Sequence, residues 1–472
     1  MKHPTYTMLI PAPAECLPQA GQLPLSQLTR LDADPMFAAL VPEVSARARH
    51  LGLNLSGGSG AALALRCDRT LAAEAWNAAV TPEGIVLTAG TVGAMRYALA
   101  ALTQMLFAAR ITGSRSDALD CVILRDRPRF PWRGMHLDSA RHFQDKETVK
   151  RCIRMLAEFR INSFHWHLTD SEGWRYASAL VPAGARGTES DGQYTPDDLR
   201  EVADFAAALG VRIVPEVDVP GHSAMLLKLC PQYACDPAHP GNELCLGNPE
   251  TLPFLRRVFD ELLEIFPDSP IIHLGGDEAE TVNWERCPRC RQAMRDRGAN
   301  SMRELENAFM ADLTRFIVER GRRPMLWGTC SGQVYPPETI IQVWLDIREP
   351  LRVAPHGNKI VYSVHNSLYF DYPADLHEPW ETWMFELSER GVYMTDPHII
   401  WADAVRDAVL GTEGCLWTET VPQWRVVRKI LPRLWAYSEC AWSAPEVKDC
   451  DDLIRRRKTL EAAGYAEFLL SL

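Results

Sequence analysis

The chain has 472 residues, 47% hydrophobic and 24% charged, with 50 Lys and Arg against 61 Asp and Glu, a formal net charge of −11. A globular chain of that size buries about 75% of its unfolded surface and needs no covalent staple to fold. The acidic balance, without a basic stripe interleaved with aromatics, excludes polyanion binding as the main task, so nucleic acid is not an expected partner.

The opening stretch MKHPTYTMLIPAPAECLPQAG is interrupted by prolines and an acid and lacks the continuous apolar core of a secretory signal. Residues 1–126 then mix short strand-like runs, Ala62 to Cys67 and Gly84 to Thr88, with a helical stretch from Val92 to Ala109 in which Met95, Leu99, Leu102 and Leu106 recur at helical spacing. This reads as a small α+β domain without a reactive cluster. No run is read as the ~20 apolar residues of a membrane span, so no membrane partner is expected. The proline-broken RDRPRF, Arg125 to Phe130, marks the boundary, and residues 127–472 form the second unit.

From Trp132 the pattern becomes strand, loop, helix, repeated. Strands are expected at Trp132 to Asp138, Ser163 to Asp170, Arg212 to Asp218, Ile271 to Glu278, Pro324 to Thr329, Ile340 to Leu345, Lys359 to Val364 and Gly414 to Glu419. Helical patterns lie between most of them, at Lys146 to Phe159, Pro196 to Leu209, Thr251 to Phe266 and Ser301 to Arg320. Eight strands alternating with helices imply a closed (β/α)8 TIM barrel, because parallel strands need crossovers and closure removes the sheet edges.

Nearly every expected strand ends in polar, charged or aromatic residues: Asp138 and Arg141, then His165, His167 and Asp170, then Glu216, Asp218 and His222. Asp277 and Glu278 follow the fourth strand, Trp327 the fifth, Trp344 and Asp346 the sixth, Tyr369 and Asp371 the seventh, Trp417 and Glu419 the eighth. The carboxyl end of a barrel is where chemistry sits, so one mouth gathers them all. Two adjacent carboxyls repel, which lets one hold a proton while its neighbour stays charged. Indoles beside carboxylates suit the apolar face of a sugar ring or an N-acetyl methyl group. A carbohydrate pocket follows.

Histidines 165 and 167, on one face of a strand, have the makings of metal ligands with Asp170 or His222, but their spacing matches no specific metal signature. They are read as support, with His222 bridging Asp170 and Glu278; no metal and no cofactor is assigned. The CPRC knuckle, Cys287 and Cys290, with Cys230, Cys235 and Cys245 upstream, lacks a second paired motif and is read as free thiols. Thirteen cysteines, an odd number, fit a reducing compartment, and the cytoplasm is expected; a secreted form already trimmed of its signal has the same composition.

Taken together, RFPWRGMHLDSARHF, FHWHLTDSEGWR, PEVDVPGH, HLGGDE, QVWLD, YFD and CLWTE resemble glycoside hydrolase family 20, the β-N-acetylhexosaminidases, in that family's order and across the whole barrel. The amino-terminal part, with its GAMRYALAALTQML helix, resembles the small domain that precedes the barrel there. The resemblance implies an exo-acting, retaining enzyme in which the substrate's 2-acetamido group is the nucleophile. By it, Glu278 is the acid and base, Asp277 and Tyr369 hold the acetamido group, and Asp170 with His222 tunes Glu278. Arg141, Asp371 and Glu419 would hold sugar hydroxyls, and Trp327, Trp344 and Trp417 would line the acetamido pocket. Gly328-Thr329-Cys330 departs from the family, whose members often carry an acid beside that tryptophan. The alternative reading is a catalytically silent sugar-binding module on the same barrel.

Overall fold

In a computed structural model of the chain, residues 3–111, 117–182, 192–328, 335–375, 377–378, 380–401 and 403–471 are described. The amino-terminal unit is a six-stranded mixed sheet: β1 (Glu15–Pro24), β2 (Leu28–Ala33), β3 (Ala61–Cys67), β4 (Trp76–Thr81), β5 (Gly84–Ala89) and β6 (Ala118–Asp126), in the order β1-β6-β4-β5-β3-β2. The strands at Ala61–Cys67 and Gly84–Ala89 match the expectation. The other four were not legible, because Pro18, Gly21 and Pro24 break the pattern of β1, and β4 carries three alanines or valine against Asn77 and two threonine or tryptophan ends. The helix Val92–Ile111 is long and apolar enough to span a membrane, which the sequence reading did not credit, but most of that stretch is buried inside the fold as a core helix.

The second unit is a closed barrel of eight parallel strands: β7 (Trp132–Asp138), β8 (Ser163–His167), β9 (Arg212–Glu216), β10 (Ile271–His273), β11 (Arg323–Trp327), β12 (Ile340–Val343), β13 (Lys359–Tyr362) and β14 (Val409–Leu416). The amphipathic helices that return the chain begin with good caps. Asp145 accepts from the Thr148 amide ahead of Lys146–Glu158, and Thr195 with Asp198 forms a capping box ahead of Pro196–Ala208. Seven of the eight expected strands stop short of their predicted ends; only β7 reaches its own. The run at Ile271 leaves the sheet after His273 because Gly275 and Gly276 turn at φ +69° and +98°. The eighth strand begins five residues earlier than expected, since Gly411, Glu413 and Gly414 hide a buried strand behind a polar pattern. Thr329, the expected end of the fifth strand, and Cys330 lie outside the described residues.

Charge fixes the two units together. Arg160 pairs with Asp126 at 2.7 Å, Trp442 donates to the same carboxylate at 3.0 Å, and Arg133 reaches Glu74 across the junction. All of Asp126, Arg160, Arg133 and Trp442 are buried, so breaking one pair would strand a charge and cost several kcal/mol.

Candidate active site

The carboxyl ends of the strands open on a hollow of about 450 Å³ lined by Arg141, His222, Asp277, Glu278, Trp344, Tyr369, Asp371, Trp417 and Glu419. Each of these nine is a residue the sequence singled out; Leu345, His365, Tyr372 and Trp383 line the hollow too and were not. The two remaining candidates, Asp170 and Trp327, lie beneath it: Asp170 is 2% exposed and Trp327 is 1% exposed. Trp327 packs 5.6 Å from Trp417, ring centre to ring centre, and its indole N–H donates to Glu216 at 2.8 Å. It is a floor under the wall.

The acidic pair is held by local backbone geometry. A side chain at Gly275 would run into the Asp218 carboxylate, whose Oδ1 accepts from the Gly276 amide at 3.1 Å. That close approach swings the chain so that Asp277 turns inward, buried, while the Glu278 side chain remains 58% exposed. Glu278 and His222 both sit at φ +49°, in the left-handed region that non-glycine residues seldom occupy. Strain of this kind costs about 1–3 kcal/mol per residue and persists where surrounding contacts over-determine it.

His222 links the acids to the rest of the site. Its Nδ1 lies 3.0 Å from Asp170, and its Nε2 lies 3.6 Å from Glu278 and 3.9 Å from Asp277. Asp170 in turn pairs with Arg141 at 2.8 Å and with His167 at 3.0 Å. Burial opposes charge on His222, but Asp218, Asp170 and Glu278 outweigh it and raise its proton affinity well above the ordinary imidazole value. The same contact with His222 lowers the Glu278 carboxyl, against its partial burial. Burial pushes the Asp277 carboxyl up to about 6, with His222 opposing. Both shifts favour a proton on His222 over one on Glu278.

Among the described residues, several polar atoms facing this space have no hydrogen-bond partner: Asp277 Oδ1, Asp371 Oδ1 and the Trp344 indole N–H. Buried polar groups are nearly always satisfied, so acceptors and donors left open in one hollow mark a place for a ligand that is itself polar. Arg141 stacks on Trp417 at 5.0 Å while pairing with Glu172 at 3.0 Å. Burial holds the Tyr369 hydroxyl well above its usual range, so it is a donor at any physiological pH.

Histidines 165 and 167 are buried core residues in this arrangement. His165 meets Glu413 at 2.7 Å and Glu216 at 3.1 Å, and His167 bonds Glu216 and Asp170. Sequence reading missed Glu216 as the hub of this layer and Asp218 as the support of the Gly275-Gly276 turn, although both stand in PEVDVPGH two residues apart and hence on one face. It also missed Glu172, and Trp383, 59% exposed at the rim, which no strand pattern announces.

Barrel, acid pair and indole-walled hollow define a glycoside hydrolase. Residues 130–445 match the glycosyl hydrolase family 20 catalytic domain, and residues 6–127 match that family's domain 2. The chain belongs to glycosyl hydrolase family 20. It is 30% identical over 426 residues to a beta-hexosaminidase of Akkermansia muciniphila, covering 85% of each chain. A Vibrio furnissii beta-hexosaminidase is 32% identical over 408 residues, 79% of this chain and 66% of that one. Among solved structures, the beta-N-acetylhexosaminidase of Bacteroides fragilis superposes with a TM-score of 0.83 at 26% identity, covering 98% of this chain and 96% of that one. The exo beta-N-acetylglucosaminidase of Vibrio harveyi, in complex with N-acetylglucosamine, gives a TM-score of 0.86 at 25% identity over 100% of this chain and 79% of its own.

Proposed function

We propose that this chain is an exo-acting, retaining β-N-acetylhexosaminidase that removes terminal β-linked N-acetylglucosamine or N-acetylgalactosamine, with the substrate's acetamido oxygen as nucleophile. The observation that carries the reading is Asp277 Oδ1, a buried acceptor without a hydrogen-bond partner among the described residues, inside an indole-walled hollow and one residue from an exposed acid. An acetamido N–H fills that acceptor. Leaving it open costs on the order of 1–3 kcal/mol, so the site favours a ligand with a donor at that place.

In the first step Glu278 protonates the glycosidic oxygen as the C1–O bond breaks, and the acetamido carbonyl oxygen closes on C1 to give an oxazolinium ion. Asp277 accepts the N–H and balances the growing positive charge, while the Tyr369 hydroxyl donates to the acetamido oxygen; both contacts strengthen as charge develops. In the second step Glu278 takes a proton from water as its oxygen attacks C1 and the ring reopens, with net retention. The Asp170–His222 couple positions Glu278 and holds a proton beside it. Covering the half-exposed Glu278 with a leaving group removes its water and raises its proton affinity, which moves that proton toward the glutamate. Arg141, Asp371 and Glu419 hold hydroxyls by charge-assisted hydrogen bonds, and Trp344 and Trp417 wall the acetamido methyl above Trp327. That the described cysteines are not joined in disulfides supports placement in a reducing compartment, the cytoplasm, and a single intact mass before and after reduction of protein taken directly from its cell tests that.

Hydrolysis of a chromogenic β-N-acetylglucosaminide, but not of the matching β-glucoside, is expected. A thiazoline mimic of the cyclic intermediate should bind far more tightly than N-acetylglucosamine. Equal affinity for the two, or a sugar ester trapped on any side chain during turnover, overturns the mechanism; binding without any turnover favours a silent sugar-binding module instead.

A further inference from the structure

Among the described residues outside the hollow, a cluster of thiols is unused by the chemistry above. Cys235, Cys245, Cys287 and Cys290 bring their four sulfur atoms within 4.8 Å of one another. The separations are 3.7 Å between Cys235 and Cys290, 3.6 Å between Cys245 and Cys290, and 3.8 Å between Cys245 and Cys287. A disulfide needs about 2.05 Å. A tetrahedron of sulfurs each about 2.3 Å from a zinc ion has edges of about 3.8 Å. The sequence reading left these thiols free for want of two further thiolates beside the CPRC knuckle. The fold supplies both.

We propose that these four cysteines form a structural zinc site that clamps the loop after β9 to the loop after β10. The four ligands come from separate stretches that the chain has gone to some length to bring together. An antiparallel bridge between Ala234 and Leu244 sets Cys235 beside Cys245. Cys287 caps the helix Pro288–Asp296 and Cys290 lies in its first turn, where the helix's positive end favours thiolate. Gly247 lies so close to the knuckle that any side chain there would strike the backbone of Arg289 and Cys290. The Arg289 guanidinium, anchored at 2.7 Å on the Ala234 carbonyl, sits beside Cys245 and offsets the negative charge that four thiolates and one zinc ion leave over. Three of the cysteines are buried and Cys235 is half-buried, a closed site with no open position for water, as in structural rather than catalytic zinc sites.

The consequence for the fold is local. The Leu244 amide bonds the Pro220 carbonyl at 2.9 Å and the Ser223 amide bonds the Asn242 carbonyl at 2.9 Å, on either side of His222. Trp284, on the other loop, donates to the Leu244 carbonyl at 2.8 Å. A metal holding these loops together fixes the segment that carries His222 against the one that carries Asp277 and Glu278.

The test is metal content. Protein purified without chelator from zinc-supplemented culture should hold one zinc per chain by mass spectrometry of the elements. Cobalt(II) reconstitution should give intense thiolate-to-metal absorption in the near ultraviolet with tetrahedral visible bands. The double variant Cys287→Ser, Cys290→Ser should lose the zinc and melt at lower temperature, while Cys152→Ser, at a buried thiol elsewhere, keeps it. Should the double variant fail to fold, thiol titration of the intact protein decides: four sulfhydryls should react only after the metal is stripped. Absence of zinc together with no cobalt spectrum, an iron spectrum in place of zinc, free reaction of all thiols, or an intact mass showing disulfides among these four would each overturn the proposal.

Discussion

Two layers of the barrel interior, two residues apart on the same strands, differ in nearly every physical respect. Near the amino-terminal end Trp132, Val214, Ile271, Met325, Ile340 and Val361 close the barrel as an apolar cluster of their own. One strand period further on, Val214 gives way to Glu216, Ile271 to His273, Met325 to Trp327 and Ile340 to Gln342. There the interior is a polar net: Glu216 bonds His167 and accepts from the Trp327 indole, lies 3.1 Å from His165 and 2.8 Å from His273, and Gln342 donates to Glu413. The lower layer stabilises by removing apolar area from water, about 1.5–3 kcal/mol per large side chain. The upper layer desolvates a charge and offsets that only through its partners. Stability and chemistry are thus separated along the barrel axis, and the separation can be tested from either side.

The largest expected effect lies above both layers. Glu278→Gln should lower kcat by about 10²–10⁴ on substrates with poor leaving groups, the usual contribution of a positioned acid. The side chain is 58% exposed, so thermal stability should barely move. Normal turnover with a lowered melting temperature would invert the comparison.

In the upper layer itself, Glu216→Gln leaves His165 and His167 without the carboxylate that faces both. Against burial, Glu216 holds His167 well above the ordinary imidazole value, and with Glu413 it raises His165 to about 9. Losing one partner of such a buried set costs about 3–5 kcal/mol, readable from urea unfolding. Activity should fall as well, because His167 positions Asp170 and through it His222. An unchanged unfolding midpoint would mean that the net is ornamental.

Asp277→Asn should cut kcat by about 10²–10³ through loss of charge stabilisation. Its effect on stability should have the opposite sign. Burial raises the native carboxyl from 3.8 to about 6, so between those values the native state holds a proton that the unfolded state has released. Stability from this group is full below about 3.8 and is lost as pH rises through about 6. The amide variant avoids that loss, and its melting temperature should exceed that of the parent above about pH 6. In the parent, kcat/KM should fall as pH drops below about 6, and the variant should lack that limb; a limb that survives the substitution assigns it to another group.

How much of this was legible beforehand follows from which signals are local. Strand ends carrying Asp277, Glu278, Trp344, Trp417 and Glu419 were readable because a short apolar run followed by a polar residue survives without its neighbours. Buried polar strand residues were not. Glu413 looks like a loop residue in GTEGC until Trp132 and His165 are brought to it by β7 and β8. The thiol cluster failed for the same reason, since Cys235 and Cys287 are far apart in the chain and only the pairing of two loops makes them neighbours. Positive φ at His222 and Glu278 has no sequence signature, because neither residue type asks for it.

The smallest change probes the lower layer alone. Ile271 is 4% exposed and opens the three-residue strand β10, whose continuation carries the acid pair. Ile271→Val removes one methylene and should cost about 0.5–1.5 kcal/mol. It lies six residues before Asp277, yet the turn between them is pinned independently: the Gly276 amide to Asp218 at 3.1 Å and the Gly275 amide to His273 Nδ1 at 3.1 Å. A small void beneath that anchor has no route to the carboxylates, so kcat and KM should match the parent while the unfolding midpoint drops. A fall in kcat beyond assay scatter would show that packing at the base of the barrel is transmitted to its mouth.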